Sequence, residues 1–163
     1  MDLNKIETSL RSKGVLLSQG SDEYNESRSV FNGYVRSRPA VIVRPTCVED
    51  IHSAILMARH RGIQITIKNG GHSAYGFSVR EGCMVLDMQA FKDIQLDSKK
   101  ETITVGAGVL SSELDRVLAP YSLAVPLGDC GGVGVAGLAL GGGNGFLSKK
   151  HGLTCDSILE CSM

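Results

Sequence analysis

The chain has 163 residues with 17 basic and 17 acidic side chains, so its formal net charge is zero. A balanced charge argues against a protein that holds nucleic acid by neutralising phosphates. The length fits one domain, and 42% hydrophobic with 21% charged residues is typical of a globular protein. Because the sequence starts without the apolar run of a secretory signal and its five cysteines lack paired spacing, we expect an intracellular, reduced protein without disulfides or a zinc site.

The first half of the chain predicts a strand–helix–strand unit. Thr46 and Glu49 stand at the capping-box positions of a helix that ends at Gly62, and we expect the flanking strands to be parallel with a right-handed crossover. The predicted elements, in chain order, are a helix at 3–12, a strand at 15–18, an extended polar stretch at 22–38, a strand at 40–43, the helix at 46–62 and a strand at 63–68.

The second half mixes strands with short helices around glycine-rich loops. Ser111 is the expected cap of its first helix. The predicted elements are a loop at 69–82, strands at 83–88, 94–96 and 102–105, a helix at 112–119, a glycine-rich tract at 128–145, a short helix at 146–151 and a strand at 157–160. This order predicts an α+β fold with a change of subdomain near 69–100.

The glycine-rich tract is also poor in charge. Nine of the 20 glycines fall between Gly128 and Gly145. Between residues 102 and 145 the charged side chains are Glu113, Asp115, Arg116 and Asp129. A surface so poor in charge indicates that a cofactor, another domain or a lipid bilayer covers this tract.

Two interpretations of this tract are disfavoured. Residues 130–148 carry no charge over 19 positions, near the length of a membrane span, but eight are glycine and each costs a helix about 1 kcal/mol relative to alanine. Residues 132–137 spell the GxGxxG dinucleotide fingerprint. A Rossmann unit would place Gly141–Gly143 inside its helix at about 3 kcal/mol, and Pro126 interrupts the strand that should precede it.

A second glycine-rich stretch, residues 67–76, directly follows a predicted strand. It reads Ile-Lys-Asn-Gly-Gly-His-Ser-Ala-Tyr-Gly. Consecutive glycines let backbone N–H groups turn towards an anion and let a phosphate approach closely. The alternative is a surface turn in which His72 has no special role.

Several motifs, taken in order, resemble the FAD-linked oxidases of the vanillyl-alcohol oxidase / p-cresol methylhydroxylase (PCMH) type, in the berberine-bridge-enzyme-like and oligosaccharide-oxidase branch. They are Val43-Arg44-Pro45, the stretch Lys68–Gly76, Val105-Gly106-Ala107-Gly108, the stretch Gly137–Gly145, and His151–Asp156. The resemblance implies an N-terminal segment at 1–37 and a PCMH-type FAD-binding domain of two α+β subdomains from residue 38 to 163.

The resemblance also implies a covalently attached FAD. His72 matches the histidine that bonds the flavin 8α carbon, and Cys130 matches a cysteine bonded to flavin C6; the alternative for Cys130 is a small buried residue. The residues expected to contact FAD are Lys68, Asn69, Gly70, Gly71, His72, Ser73 and Gly76 in the first stretch, and Gly128, Asp129, Cys130, Val133, Gly134, Gly137, Gly142, Gly143 and Gly145 in the second.

In the family, a small organic substrate such as a sugar, an alcohol or an alkaloid-like amine gives a hydride to the flavin, and molecular oxygen usually accepts the electrons. Family members continue well beyond this length, so the resemblance implies a domain that is incomplete at its C-terminus and inactive alone. The competing interpretation is a truncated, inactive remnant that binds no flavin.

Overall fold

A computed structural model describes residues 14–162, and the helix predicted at 3–12 lies outside them. The chain forms two compact units, which divide between Phe91 and Lys92. Across the described residues, no helix is both long enough and apolar enough to cross a bilayer.

The elements of the first unit are β1 (Val15–Leu17), α1 (Asp22–Ser27), β2 (Val41–Arg44), α2 (Val48–Arg61), β3 (Ile65–Lys68), β4 (Met84–Asp87) and a 3₁₀ turn at Met88–Ala90. Its four strands form one sheet of order β1-β2-β4-β3. Strands β2, β4 and β3 are parallel, whereas β1 pairs antiparallel with β2 at the edge. The predicted strands β2 and β3 are therefore parallel but not neighbours, since β4 lies between them.

Runs of β-branched and aliphatic residues explain why β2 and β4 are central. Val41, Ile42 and Val43 are fully buried, as is Val85 in β4. Burial of each such side chain contributes about 1.5–3 kcal/mol relative to exposure. Parallel strands buried on both faces read as continuous apolar runs, which is the pattern found here.

Helix α1 corrects the prediction of an extended polar stretch at 22–38. The Ser21 hydroxyl accepts a hydrogen bond from the Tyr24 N–H at 3.1 Å, and Asp22 and Glu23 fill the first turn, where carboxylates favour a helix. Tyr24 is buried in the core of the unit and its hydroxyl donates to the Pro39 carbonyl at 2.6 Å. Burial raises the pKa of the Tyr24 phenol.

The start of α2 differs from the predicted capping box. The helix begins at Val48 with Cys47, not Thr46, as its N-cap residue. Thr46 donates its backbone N–H and its hydroxyl to the buried Asp50 carboxylate, at 3.0 and 3.2 Å. The helix ends, as predicted, at Gly62 in the left-handed conformation.

The second unit pairs a two-stranded antiparallel sheet with short helices, and each unit is therefore α+β. Its elements are β5 (Ile94–Asp97), β6 (Thr102–Val105), α3 (Ser111–Leu118), α4 (Val135–Leu140), α5 (Ser148–His151), and 3₁₀ turns at Ala119–Tyr121 and Thr154–Ser157. Val109, Leu114, Leu118 and Leu127 form its core.

Two predictions for this unit are wrong. Leu110, not Ser111, is the N-cap of α3, and the Ser111 hydroxyl instead donates to the Val133 carbonyl at 3.1 Å. The strand predicted at 157–160 is absent from the described chain, where a 3₁₀ turn ends at Ser157 and residues 158–160 are exposed. A strand needs a neighbour to satisfy its backbone hydrogen bonds, and none of the described strands pairs with this stretch.

Candidate cofactor site

The loop at 69–76 leaves the carboxyl end of β3, the edge of a parallel sheet where open α/β proteins place ligands. Among the described residues, none accepts a hydrogen bond from the backbone N–H groups of residues 70–75. Ser73 closes the loop, because its carbonyl accepts from Gly76 N–H at 3.0 Å and its hydroxyl from Phe77 N–H at 3.3 Å. The loop thus offers a row of backbone donors to an anion.

Two glycines of this loop are required by both conformation and packing. Gly71 and Gly76 have φ values of +69° and +68°, a region that side chains with a Cβ rarely adopt. A Cβ on Gly71 would lie 3.2 Å from Val30 Cγ1, and a Cβ on Gly76 would lie 2.6 Å from Val35 Cγ2. The segment 30–35 therefore packs directly against the loop and sets its path.

Charged groups lie at the same edge of the sheet. Lys68 is the last residue of β3 and is buried, and its register partner in β4 is the buried Asp87. Burial lowers the pKa of the Lys68 ammonium, and the Asp87 carboxylate partly opposes this effect. Arg44 Nη2 lies 3.4 Å from Asp87 Oδ2 and 2.7 Å from Ser27 Oγ. Two cations therefore share one carboxylate at the base of the loop, which favours an anion there.

His72 borders an open cavity of about 430 Å³. Its imidazole is half-buried and stacks on the Phe31 ring, with centroids 4.7 Å apart and planes 18° from parallel. The other lining residues are Asn32, Gly33, Tyr34, Arg36 and Ala74. The contribution of residues 31–36 was not predicted from the sequence, although two aromatic residues in a polar stretch are a signal for it.

In the second unit, the tract from Gly128 leads into the short helix α4. Val133 N–H donates to the Cys130 carbonyl at 3.2 Å, and Gly134 forms an isolated bridge with Leu110. The backbone N–H groups of residues 128–132 find no acceptor within the described chain. Cys130 is free and exposed, which contradicts the alternative of a small buried residue.

The glycines within and after α4 have different roles. A Cβ on Gly143 would overlap the side chain of Thr154, and one on Gly145 would overlap the Leu127 carbonyl. Gly145 therefore needs glycine for packing, whereas Gly143 needs it for packing and for its φ of +78°. Gly137 is exposed with open space beside it, and Gly142 has a φ of +97°. Of the predicted site residues, Lys68–Gly76 belong to the first unit and Gly128–Gly145 to the second.

Comparisons with known proteins match nearly the whole chain. A family model described as FAD binding domain matches residues 39–163. The (R)-6-hydroxynicotine oxidase of Paenarthrobacter nicotinovorans is 31% identical over 98% of this chain and 35% of its own length. The xylooligosaccharide oxidase of Thermothelomyces thermophilus is 34% identical over 90% of this chain and 30% of its own length.

A solved structure agrees with these matches. The wild-type BBE-like 1 protein of Physcomitrella patens superposes with a TM-score of 0.89 at 35% identity, over 94% of this chain and 34% of that one. The chain therefore spans about a third of the length of the relatives that it matches. Because the family model covers well over half of the sequence, the chain belongs to the FAD binding domain family, with the α+β fold of the PCMH type.

Proposed function

We propose that this chain is the FAD-binding part of an oxidase and that the loop at 69–76 holds the pyrophosphate of the cofactor. The observation that carries this proposal is the row of backbone N–H groups at residues 70–75, which donate to no acceptor among the described residues. A pyrophosphate supplies the missing acceptors, and Lys68 and Arg44 supply positive charge behind the loop. The residues present therefore fit the cofactor.

The proposed contacts follow the two glycine-rich stretches. In the first, Asn69, Gly70, Gly71, Ser73 and Gly76 surround the pyrophosphate and Lys68 lies beneath them. In the second, seven positions contact the remainder of the dinucleotide, whereas Gly143 and Gly145 shape the backbone there. The second set comprises Gly128, Asp129, Cys130, Val133, Gly134, Gly137 and Gly142.

We further propose that His72 bonds the flavin 8α carbon and that Cys130 bonds C6. Each bond would replace one hydrogen of the flavin carbon and one of the side chain. The two protons and two electrons released would pass to the flavin, and dioxygen would accept them to give hydrogen peroxide. His72 is suited to this step because its half-buried imidazole borders an open cavity. Cys130 presents an exposed thiol, which reacts as its thiolate.

The proposed reaction is oxidation of a small organic molecule, with a hydride passing to flavin N5, a proton passing to a base, and dioxygen as the final acceptor. The names of the relatives favour an oligosaccharide or an alkaloid-like amine as substrate. Substrate positioning contributes on the order of 7–11 kcal/mol to such reactions. Since the chain spans about a third of these relatives, we propose that the positioning residues lie outside it and that the FAD-loaded chain alone does not turn over substrate.

Titration of the chain with FAD, followed by flavin fluorescence, tests cofactor binding against the inactive-remnant interpretation. We expect saturable binding that inorganic pyrophosphate weakens by competition. Gly71→Ala should reduce affinity by at least about tenfold because it strains the loop, whereas Gly82→Ala, with a φ of +68° and no neighbour within 4 Å, should leave it unchanged. Absence of binding by a folded chain, or equal affinity in both variants, would contradict the proposal.

A further inference from the structure

The backbone on both sides of His72 is tied to one short segment of the first unit. Phe31 N–H donates to the Gly71 carbonyl at 3.1 Å, just before the histidine. The Asn32 side-chain amide donates to the Ala74 carbonyl at 2.8 Å, just after it. The side-chain oxygen of Asn32 accepts a hydrogen bond from Tyr34 N–H at 3.0 Å, so both the NH₂ group and the oxygen of this amide have partners. These bonds fix the position of the His72 Cα.

The Phe31 ring then constrains the imidazole itself. The two rings stack with centroids 4.7 Å apart and planes 18° from parallel. Phe31 is nevertheless 73% exposed, so burial in a core does not account for its placement. Stacked aromatic rings attract each other beyond what the burial of their area contributes. This attraction favours one orientation of the imidazole plane, whose rotation is otherwise soft.

The plane of the imidazole decides where its reactive nitrogen points, because the lone pair of a neutral ring lies in that plane. We propose that Phe31 is a positioning residue, which orients the His72 imidazole for its bond to the flavin. This inference rests on the proposed attachment at His72 and concerns the formation of the bond between His72 and the flavin 8α carbon. A nucleophile must come within about 3–3.5 Å of its target in the correct direction, and small misplacements cost up to about 10²-fold in rate.

The experiment separates binding of FAD from its attachment. The chain is prepared without flavin, mixed with FAD, and sampled over time for flavin that stays on acid-precipitated protein. We expect Phe31→Leu, which keeps an apolar side chain but loses the ring, to attach flavin about 10-fold to 10²-fold more slowly, with little change in the affinity for FAD. Phe31→Tyr, which keeps the ring, should attach it at nearly the wild-type rate. Tyr121→Ala removes an exposed aromatic residue of the 3₁₀ turn at Ala119–Tyr121, outside this cavity and both glycine-rich stretches, and serves as the control.

A second measurement needs no flavin. Stacking on Phe31 should move the ring-proton resonances of His72 upfield, and Phe31→Leu should abolish that shift while Tyr121→Ala keeps it. Attachment by Phe31→Leu at the wild-type rate, or an unchanged His72 spectrum, would overturn the positioning role alone. Wild-type chain that binds FAD but never attaches it would instead overturn the proposed linkage, and this inference with it.

Discussion

Lys68 and Asp87 are register partners at the last pair of β3 and β4, and both are buried where the loop at 69–76 begins. Burial at this position removes the water that would otherwise stabilise the positive charge of Lys68. Burial lowers the pKa of the Lys68 ammonium because the Asp87 carboxylate, which also lies 3.4 Å from Arg44, compensates only in part. The protonated form of Lys68 is therefore less stable in the folded chain than in the unfolded one.

The first prediction is a dependence of stability on pH. In the unfolded chain the pKa of Lys68 has its ordinary value of 10.5, whereas burial lowers that pKa in the folded chain. Between these two values the unfolded state binds more protons, so the free energy of unfolding should rise with pH. Urea unfolding at a series of pH values from neutral towards 10 should show this rise in wild type. The free energy of unfolding of Lys68→Met should rise less steeply with pH.

The exposed Lys99 provides the control for this experiment. Lys99→Met should keep the wild-type slope. Tyr24, whose raised pKa acts in the opposite direction above 10.0, is present in all three proteins and cancels from the comparison. Identical slopes for wild type and Lys68→Met would show that Lys68 titrates as if it were in water.

The second prediction concerns the contact between Gly76 and Val35. Gly76→Ala should destabilise the chain by about 1–2 kcal/mol through its positive φ and by a further 1–3 kcal/mol, roughly, through overlap with Val35. Gly62→Ala, at a φ of +64° with no neighbour within 4 Å, should show only the first effect. Denaturant unfolding measures both variants.

A double variant isolates the steric part. Val35→Ala removes Cγ1 and Cγ2, the two atoms that a Cβ on Gly76 would approach most closely, and leaves the Val35 Cβ at 3.2 Å. Gly76→Ala should therefore cost less in the Val35→Ala background than in wild type. Strict additivity of the two substitutions would contradict the close packing of segment 30–35 against the loop.

The third prediction concerns Thr154, which joins two parts of the second unit. Its buried hydroxyl lies 2.5 Å from the Pro126 carbonyl, to which it donates, and its Cβ fills the space beside Gly143. Thr154→Val keeps the shape but leaves that carbonyl without its donor, which should cost about 1–3 kcal/mol. Thr104→Val, at an exposed position of β6, should be nearly neutral in the same unfolding assay. Equal effects for the two would contradict the importance of this hydrogen bond.

Most strands were predictable because their β-branched and aliphatic residues favour both a strand conformation and burial. Val41–Val43 read as a buried strand from their branched side chains alone. The insertion of β4 between β2 and β3 was not predictable, since pairing order depends on contacts distant in sequence. The prediction of a strand at 157–160 was wrong for a related reason, because strand propensity does not show whether a neighbouring strand is there to pair with it.

The site shows the same division between local and distant signals. The glycine stretch around His72 was recognisable in the sequence, because consecutive glycines directly after a strand are typical of a backbone anion site. The stacking of Phe31 on His72 was hidden, since it joins residues 41 positions apart (72 minus 31). Helix α1 could have been found, because Ser21, Asp22 and Glu23 form a start signal that the polar composition of the stretch obscured.

Mass spectrometry of the chain after incubation with FAD tests the claim that His72 carries the flavin. We expect an acid-stable flavin on the peptide that contains His72, with a second bond to Cys130. His72→Ala should still bind FAD reversibly but should carry no flavin on that peptide, and the additional Cys130→Ala substitution should remove any that remains. Wild-type chain that is folded and saturated with FAD, yet releases all of it in acid, would contradict the claim.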